Sequence, residues 1–254
     1  MIPYFTFQEI NLGIITIQVW GLMAFLGFLV ALFFSIKEGK RKGIGEESIW
    51  DIMIISLIGA ITGSRIFYVI FNFEEFSSLA DVFNIYNNGG FSFLGGAIIV
   101  AVSIYTYSRI KKIDICKLGD VLVSGAILAI IITRLGCFFV YDHLGQITNL
   151  PWGRIYIDQT VRHPVALYHI ISGVVILCLI QYFKKKHLKD GILVLLFMFF
   201  YSFLRFLLDF TRCSDLPFCD SRYLNLTYTQ WILLATAPFM VYLLLKKRCR
   251  PVLN

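Results

Sequence analysis

The sequence predicts an all-α integral membrane protein of seven transmembrane helices, N-terminus outside and C-terminus cytoplasmic. Three observations carry that expectation: an apolar composition, seven long apolar runs, and basic residues gathered in alternate connections. Of the 254 residues, 58% are hydrophobic and 15% charged, against ~25% charged in a soluble globular domain. The length holds seven spans of ~20 residues with short loops and leaves no room for a second folded domain, so one domain over residues 1–254 is expected.

The apolar runs lie at roughly 14–36, 48–72, 93–110, 119–141, 165–183, 191–211 and 228–246. The third is the shortest. It opens on the glycine-rich stretch Gly89-Gly90-Phe91-Ser92-Phe93-Leu94-Gly95-Gly96, where an irregular start is expected. Met1 to Gly13 carry no lysine or arginine, so the first run lacks the basic leader of a cleaved signal peptide and is expected to stay as a helix.

A net charge of +7 would suit a nucleic-acid partner if the basic residues formed one face. They do not. Clusters of four follow the first run (Lys37, Lys40, Arg41, Lys42), the third (Arg109, Lys111, Lys112, Lys117), the fifth (Lys184, Lys185, Lys186, Lys189) and the seventh (Lys246, Lys247, Arg248, Arg250). The other connections hold only Arg154, Arg162, Arg212 and Arg222. Sixteen basic residues on one side against four on the other put the N-terminus outside by the positive-inside rule, and exclude a nucleic-acid partner.

Three arginines remain inside the runs: Arg65, Arg134 and Arg205. Helices 2, 4 and 6 all run outward on this topology, which places each arginine about 10 Å below the outer boundary. A single arginine at that depth snorkels or pairs with an acid; three in one layer argue for a shared anion site, since guanidinium suits bidentate phosphate binding. Arg205, Asp209 and Arg212 follow at i, i+4 and i+7 on one helix face. A lipid phosphate entering sideways from the outer leaflet is the simplest anion for this layer.

The glycines Gly89, Gly90, Gly95 and Gly96 serve either close backbone approach to a head group or close helix packing. Trp20, Tyr68, Trp152, Tyr168 and Trp231 fit a lipid groove or the ordinary aromatic belt. Among the cysteines, only Cys213 and Cys219 share an external connection at a separation suited to a loop-closing disulfide.

Taken in order, these motifs resemble one family over nearly the whole length. They are Trp20-Gly21-Leu22-Met23, Gly63-Ser64-Arg65-Ile66-Phe67-Tyr68-Val69, the glycine-rich stretch, and Arg134-Leu135-Gly136-Cys137-Phe138 with Asp142 and Gly145. Leu150-Pro151-Trp152-Gly153, Arg162-His163-Pro164 with Leu167-Tyr168, Arg205-Phe206 with Asp209 and Arg212, and Leu226-Thr227 with Gln230 complete the series. The chain resembles the prolipoprotein diacylglyceryl transferases, bacterial enzymes that lipidate the lipobox cysteine of secreted precursors. The departures are specific. Leu94 stands at the family's usual histidine, Trp20 at a tyrosine, Cys137 at an asparagine, Asp142 and Asp209 at glutamates, Ala166 at a glutamine and His169 at a glutamate.

The resemblance implies a multi-pass transferase of the cytoplasmic membrane with no metal or cofactor. Its partners are a phosphatidylglycerol-like phospholipid and a lipobox-containing precursor. A lipobox thiol attacks the glyceryl carbon of the lipid, and glycerol phosphate leaves. That reaction needs a thiolate and cations on the departing phosphate, roles that suit Arg134 and Arg205. With Leu94 unable to take a proton, Asp142, His143, His163, His169 and Asp209 are candidate acceptors, of which His163, beside Pro164 at the outer entrance of helix 5, has the best context in sequence; ionisation of the thiol unaided in the positive field of Arg134 and Arg205 is the favoured route. The catalytic set is thus Arg134, Arg205, His163 and Asp209. The lipid-binding set is Arg65, Arg134, Asp142, Gly145, Gly89, Gly90, Gly95, Gly96, Tyr168 and Arg212. Alternatives are the same reaction on another donor, such as an archaeal ether phospholipid, or a non-catalytic lipid-binding membrane factor. A transporter would want an internal repeat and a matching inner basic layer, and the sequence has neither.

Overall fold

A computed structural model of the chain describes residues 1–13, 16–76, 81–82, 90–186, 188–217 and 219–246. Gly89, Lys247, Arg248, Cys249 and Arg250 lie outside the described residues. The structure is helical, and among the described residues seven long helices stand out: α1 (Val19–Lys42), α2 (Glu46–Phe71), α3 (Phe93–Ile110), α4 (Ile115–Val140), α5 (Val165–Lys184), α6 (Ile192–Leu208) and α7 (Tyr228–Lys246). Six are long and apolar enough to cross a membrane, with α6 counted through its terminal 3-10 turn to Thr211. The seventh is apolar and shorter, fully described over Tyr228–Leu244. Large apolar side chains such as Phe33, Ile58, Ile70, Tyr105 and Ile171 are exposed on these helices, as expected of surfaces that meet lipid.

The helix starts follow local chemistry. Ser92 caps α3 by accepting the Gly95 N–H at 3.4 Å. The first apolar run becomes helical only from Val19, because Thr16–Gln18 (β2) pairs antiparallel with Glu9–Asn11 (β1). The sequence reading had extended that run back to 14. Two further hairpins that it did not foresee, β3 (Arg154–Ile155) with β4 (Val161–Arg162) and β5 (Arg222–Tyr223) with β6 (Leu226–Thr227), build the connections after α4 and α6. They are two residues long, too short to show an alternating pattern.

The chain divides into two compact units. One, Ile36–Leu118, is dominated by α2 against α3. Small residues set that contact: a Cβ on Gly63 would lie 2.6 Å from Ile99 Cβ and 2.8 Å from the Gly95 carbonyl, and one on Gly95 would run into Phe67. Gly96 packs its backbone against the Ala60 carbonyl. Gly90, at φ 125°, needs the freedom of glycine, and a side chain there would enter the Tyr68 ring.

The other unit comprises Met1–Ser35 and Gly119–Arg250. Its apolar centre is Val123, Ile127, Ile176, Ile180 and Leu193, contributed by α4, α5 and α6. Asp120 on α4 caps α6: its carboxylate accepts the Gly191 N–H at 2.9 Å and the Val194 N–H at 3.0 Å. Helices α1 and α4 meet along a glycine–alanine seam, Gly27 against Ala129 and Gly125 against Ala31. A Cβ on Gly125 would fall 2.6 Å from the Ala31 carbonyl oxygen, a backbone atom that cannot swing away. Gly125→Ala is therefore expected to push the two helices apart and cost roughly 1–3 kcal/mol, read as a lowered unfolding midpoint in detergent; an unchanged midpoint would show that the seam is slack.

Candidate active site

The charged cluster at the end of α6 is organised by Asp209, which is fully buried. Its Oδ1 faces Arg205 Nη2 at 3.0 Å and Arg212 Nη1 at 3.9 Å, and its Oδ2 accepts the Thr227 hydroxyl at 2.7 Å. Oδ1 has no aligned hydrogen bond and is held by charge alone. The i, i+4 spacing foreseen for Arg205 and Asp209 thus closes as an ion pair. A 3-10 turn, Asp209–Thr211, then brings Arg212 back to the same carboxylate. Thr227 is fixed in turn by Gln230, which accepts its N–H at 2.9 Å and donates to the Phe206 carbonyl at 3.0 Å.

Arg205 turns its other terminal nitrogen to His169 Nε2 at 2.6 Å. A guanidinium only donates, so His169 accepts and carries its proton on Nδ1. Arg212 also pairs with Asp220 at 2.7 Å and donates toward His143 Nδ1 at 3.4 Å. Arg222 donates to the Arg212 carbonyl at 2.9 Å. A disulfide, Cys213–Cys219, closes the loop that carries Asp215 and is followed at once by Asp220, in line with the sequence expectation.

Arg134, near the end of α4, lies with its Nη1 4.0 Å from Cys137 Sγ. Beyond α4 the chain turns through two left-handed residues, Tyr141 (φ 62°) and His143 (φ 61°). It then runs extended past the α6 end, with Gln146 N–H donating to the Thr211 carbonyl and Cys213 N–H to that of Leu144, both at 2.9 Å. Gly145 sits where this strand presses on His163, so that any Cβ would collide with the His163 carbonyl. The His143 ring lies between Asp142 Oδ2, 3.4 Å from Nε2, and Arg212. Burial, and then Arg212, Arg134 and Arg205, push it down to about 4 against the opposing pull of Asp142, so it is neutral at pH 7. The His163 ring is also lowered by burial; its Nδ1 meets the Tyr168 hydroxyl at 3.0 Å, and Trp152 donates to that hydroxyl at 3.0 Å.

Other arginines build the scaffold. Arg162 forms a bidentate pair with Asp215 at 3.1 and 2.8 Å and donates to the Gly145 carbonyl at 3.1 Å. Arg154 is buried between the rings of Phe5, Phe138 and Tyr141 and donates to the Phe138 and Phe5 carbonyls at 2.6 and 2.5 Å, tying the N-terminal arm to the α4 end. In the other unit, Arg65 spends its three guanidinium nitrogens on the carbonyls of Val82, Gly90 and Asp81, at 2.9, 3.2 and 3.2 Å.

Cys137 Sγ, an Asp142 oxygen and a His143 nitrogen lie within 4.8 Å of one another. Arg134 against the thiol and Arg212 against the ring make that spot hostile to a cation and suited to an anion. Tyr141, Asp142, His143, Leu144, Tyr156, Arg212, Asp220 and the disulfide line an open cleft of about 250 Å³ beside it. Sequence reasoning passed over Asp215 and Asp220. The only signal was their spacing around the two cysteines.

The chain thus combines helices long and apolar enough to cross a membrane with an acid-bridged cluster of half-buried arginines beside a cleft. Residues 8–246 match the family model for prolipoprotein diacylglyceryl transferase, and the chain belongs to that family. It is similar to the phosphatidylglycerol–prolipoprotein diacylglyceryl transferase of Clostridioides difficile, 32% identical over 203 residues, 80% of this chain and 81% of that one. The Clostridium kluyveri protein of the same name is 31% identical over 244 residues, 92% and 94% of the two chains. That of Thermotoga maritima is 28% identical over 243 residues, 91% and 83%.

Thr227→Val keeps the shape of the side chain but leaves the buried Asp209 Oδ2 without its donor, and is expected to cost roughly 1.5–3 kcal/mol. Thermal unfolding of wild type, Thr227→Val and Thr227→Ser measures it, with serine close to wild type; equal midpoints for all three would mean that Asp209 does not depend on this bond.

Proposed function

We propose that this chain transfers the diacylglyceryl group of phosphatidylglycerol to the lipobox cysteine thiol of lipoprotein precursors. The observation that carries the reading is the Asp209-bridged pair of arginines, with Arg134 in the same unit, in a chain of this family. One carboxylate among three guanidiniums leaves net positive charge for a phosphate, and Asp220 on Arg212 is the carboxylate that the phosphate replaces. Arg134 holds the lipid phosphate, Arg205 stabilises the oxygen that departs, and Asp209 sets the arginines. Arg212, Asp142 and Tyr168 border the lipid site, and His163 stands at its entrance. The protein is read as one domain with seven spans in the cytoplasmic membrane, N-terminus outside, so that the cluster opens to the outer leaflet. No metal or cofactor enters the reaction as written.

The decisive experiment mixes the purified protein, a lipobox peptide and phosphatidylglycerol, with mass spectrometry of the peptide. One diacylglyceryl mass added is the expected result. Lipid binding without any mass gain would make the chain a lipid-binding factor, and a gain only with an ether lipid would change the donor. Arg134→Lys keeps the charge and loses the planar fork; it is expected to cost about 2–4 kcal/mol of transition-state stabilisation, a fall of roughly 30- to 1,000-fold. Wild-type rates in that variant would leave Arg134 a structural residue. For the orientation, a C-terminal reporter is expected to be active only in the cytoplasm, and labelling of that terminus from outside intact cells would reverse the topology.

A further inference from the structure

The reaction needs a group to take the thiol proton, and the family's usual histidine position is Leu94. Two histidines outside the helices stand near the cleft and differ in how their rings are held. His163 turns Nδ1 to a tyrosine hydroxyl. His143 is held between a carboxylate and a guanidinium, Nε2 toward Asp142 and Nδ1 toward Arg212. Since Arg212 only donates, Nδ1 carries the lone pair and the ring proton belongs on Nε2, facing Asp142. Asp142 is itself anchored, because its Oδ1 accepts the His143 backbone N–H at 2.9 Å. A histidine whose tautomer is fixed by a guanidinium on one nitrogen, with a carboxylate beside the other, is set up as a general base once the guanidinium is drawn away. His143 and Arg212 line the same cleft.

We propose that His143, oriented by Asp142, takes the proton from the attacking thiol, and that a lipid phosphate seated on Arg212 prepares it to do so. The proposal rests on the transfer reading above. The phosphate displaces both Asp220 and Nδ1 from Arg212 and leaves that lone pair open to the cleft. The S–H proton passes to Nδ1 as sulfur bonds to the glyceryl carbon; the carbon–oxygen bond breaks, and its electron pair leaves on the phosphate oxygen. The imidazolium then hands the proton to that oxygen, so the product is protonated glycerol phosphate and the histidine is restored.

The surroundings make this base dependent on its substrate. The groups facing His143 are Asp142, the Cys137 thiol, Arg212 with its partner Asp220, Arg134, and Arg205 with its partner His169. Without ligand, burial and the arginines keep the ring at about 4, available but weak. A phosphodiester cancels part of the guanidinium field and raises the ring toward its ordinary ~6.5, where a base works best near neutral pH. The linkage is reciprocal: a ligand that raises a histidine's pKa carries a proton in with it, so it binds more tightly as pH falls from 7 toward the free value. A phosphate that raises the ring above its free value therefore binds more tightly at pH 5 than at pH 7.

The test measures binding of dihexanoyl phosphatidylglycerol to the full-length protein in nanodiscs at pH 5, 6 and 7, together with transfer to a lipobox peptide. Wild type is expected to gain several-fold in affinity between pH 7 and 5. His143→Gln is expected to lose that gain, and to lose at least about 100-fold in transfer rate while it still binds the lipid at pH 7. His143→Ala with added imidazole is expected to recover part of the rate, which separates loss of a base from misfolding. The same pH dependence of binding in wild type and His143→Gln overturns the proposal whether or not transfer occurs. Transfer by His143→Gln at the wild-type rate and pH profile overturns the base role alone. Binding linked to pH with no transfer by the wild-type protein removes the transfer reading, and the base role with it.

Discussion

The buried carboxylate of Asp209 is the constraint on which the rest of the site depends. Two arginines in an apolar setting repel each other and are costly to desolvate, and a single acid between them makes their neighbourhood tolerable. Because that acid is at once the end of α6 and the start of a 3-10 turn, it also fixes the direction in which the chain leaves the helix. Thr227, at the start of α7, supplies the remaining hydrogen bond, so the ends of α6 and α7 are joined through the same charge.

Around this centre the connections act as a scaffold of arginines with different duties. Arg154 and Arg162 are among the most buried residues of the chain, yet neither is placed to meet a lipid: one is wrapped in aromatic rings and carbonyls, the other in Asp215. Their planar forks satisfy several backbone acceptors at once, which a lysine cannot do. They hold the short hairpins and the extended Leu144–Thr148 segment in register, and so fix the position of the turn that presents Asp142 and His143.

The departures from the family pattern fit this geometry in part. Asp209, one methylene shorter than glutamate, reaches Arg205 at 3.0 Å, and His169 meets the same arginine with a ring nitrogen in place of a carboxylate. Replacing a carboxylate by a neutral ring leaves Arg205 with one negative partner fewer and the cluster more positive, a change that favours anion binding.

The apolar runs, their number and most of their boundaries were legible in the sequence, because a helix in lipid must be apolar along its whole length and that requirement is local. The i, i+4 pairing of Arg205 with Asp209 was legible for the same reason: helical periodicity fixes it before any tertiary contact forms. The family, too, could be read from motif order alone. Tertiary structure decided what could not be read from neighbours in sequence. Gly95, Gly96 and Gly145 were candidates for lipid contact, but their missing side chains make room for Phe67, the Ala60 carbonyl and the His163 carbonyl. His163 had the better sequence context, whereas His143 is the ring placed between an acid and a cluster arginine. That placement depends on two left-handed residues and on a cross-connection to a helix end sixty-nine positions away, Arg212. The role of a polar side chain here is set by which charges share its space, and only the folded chain brings those charges together.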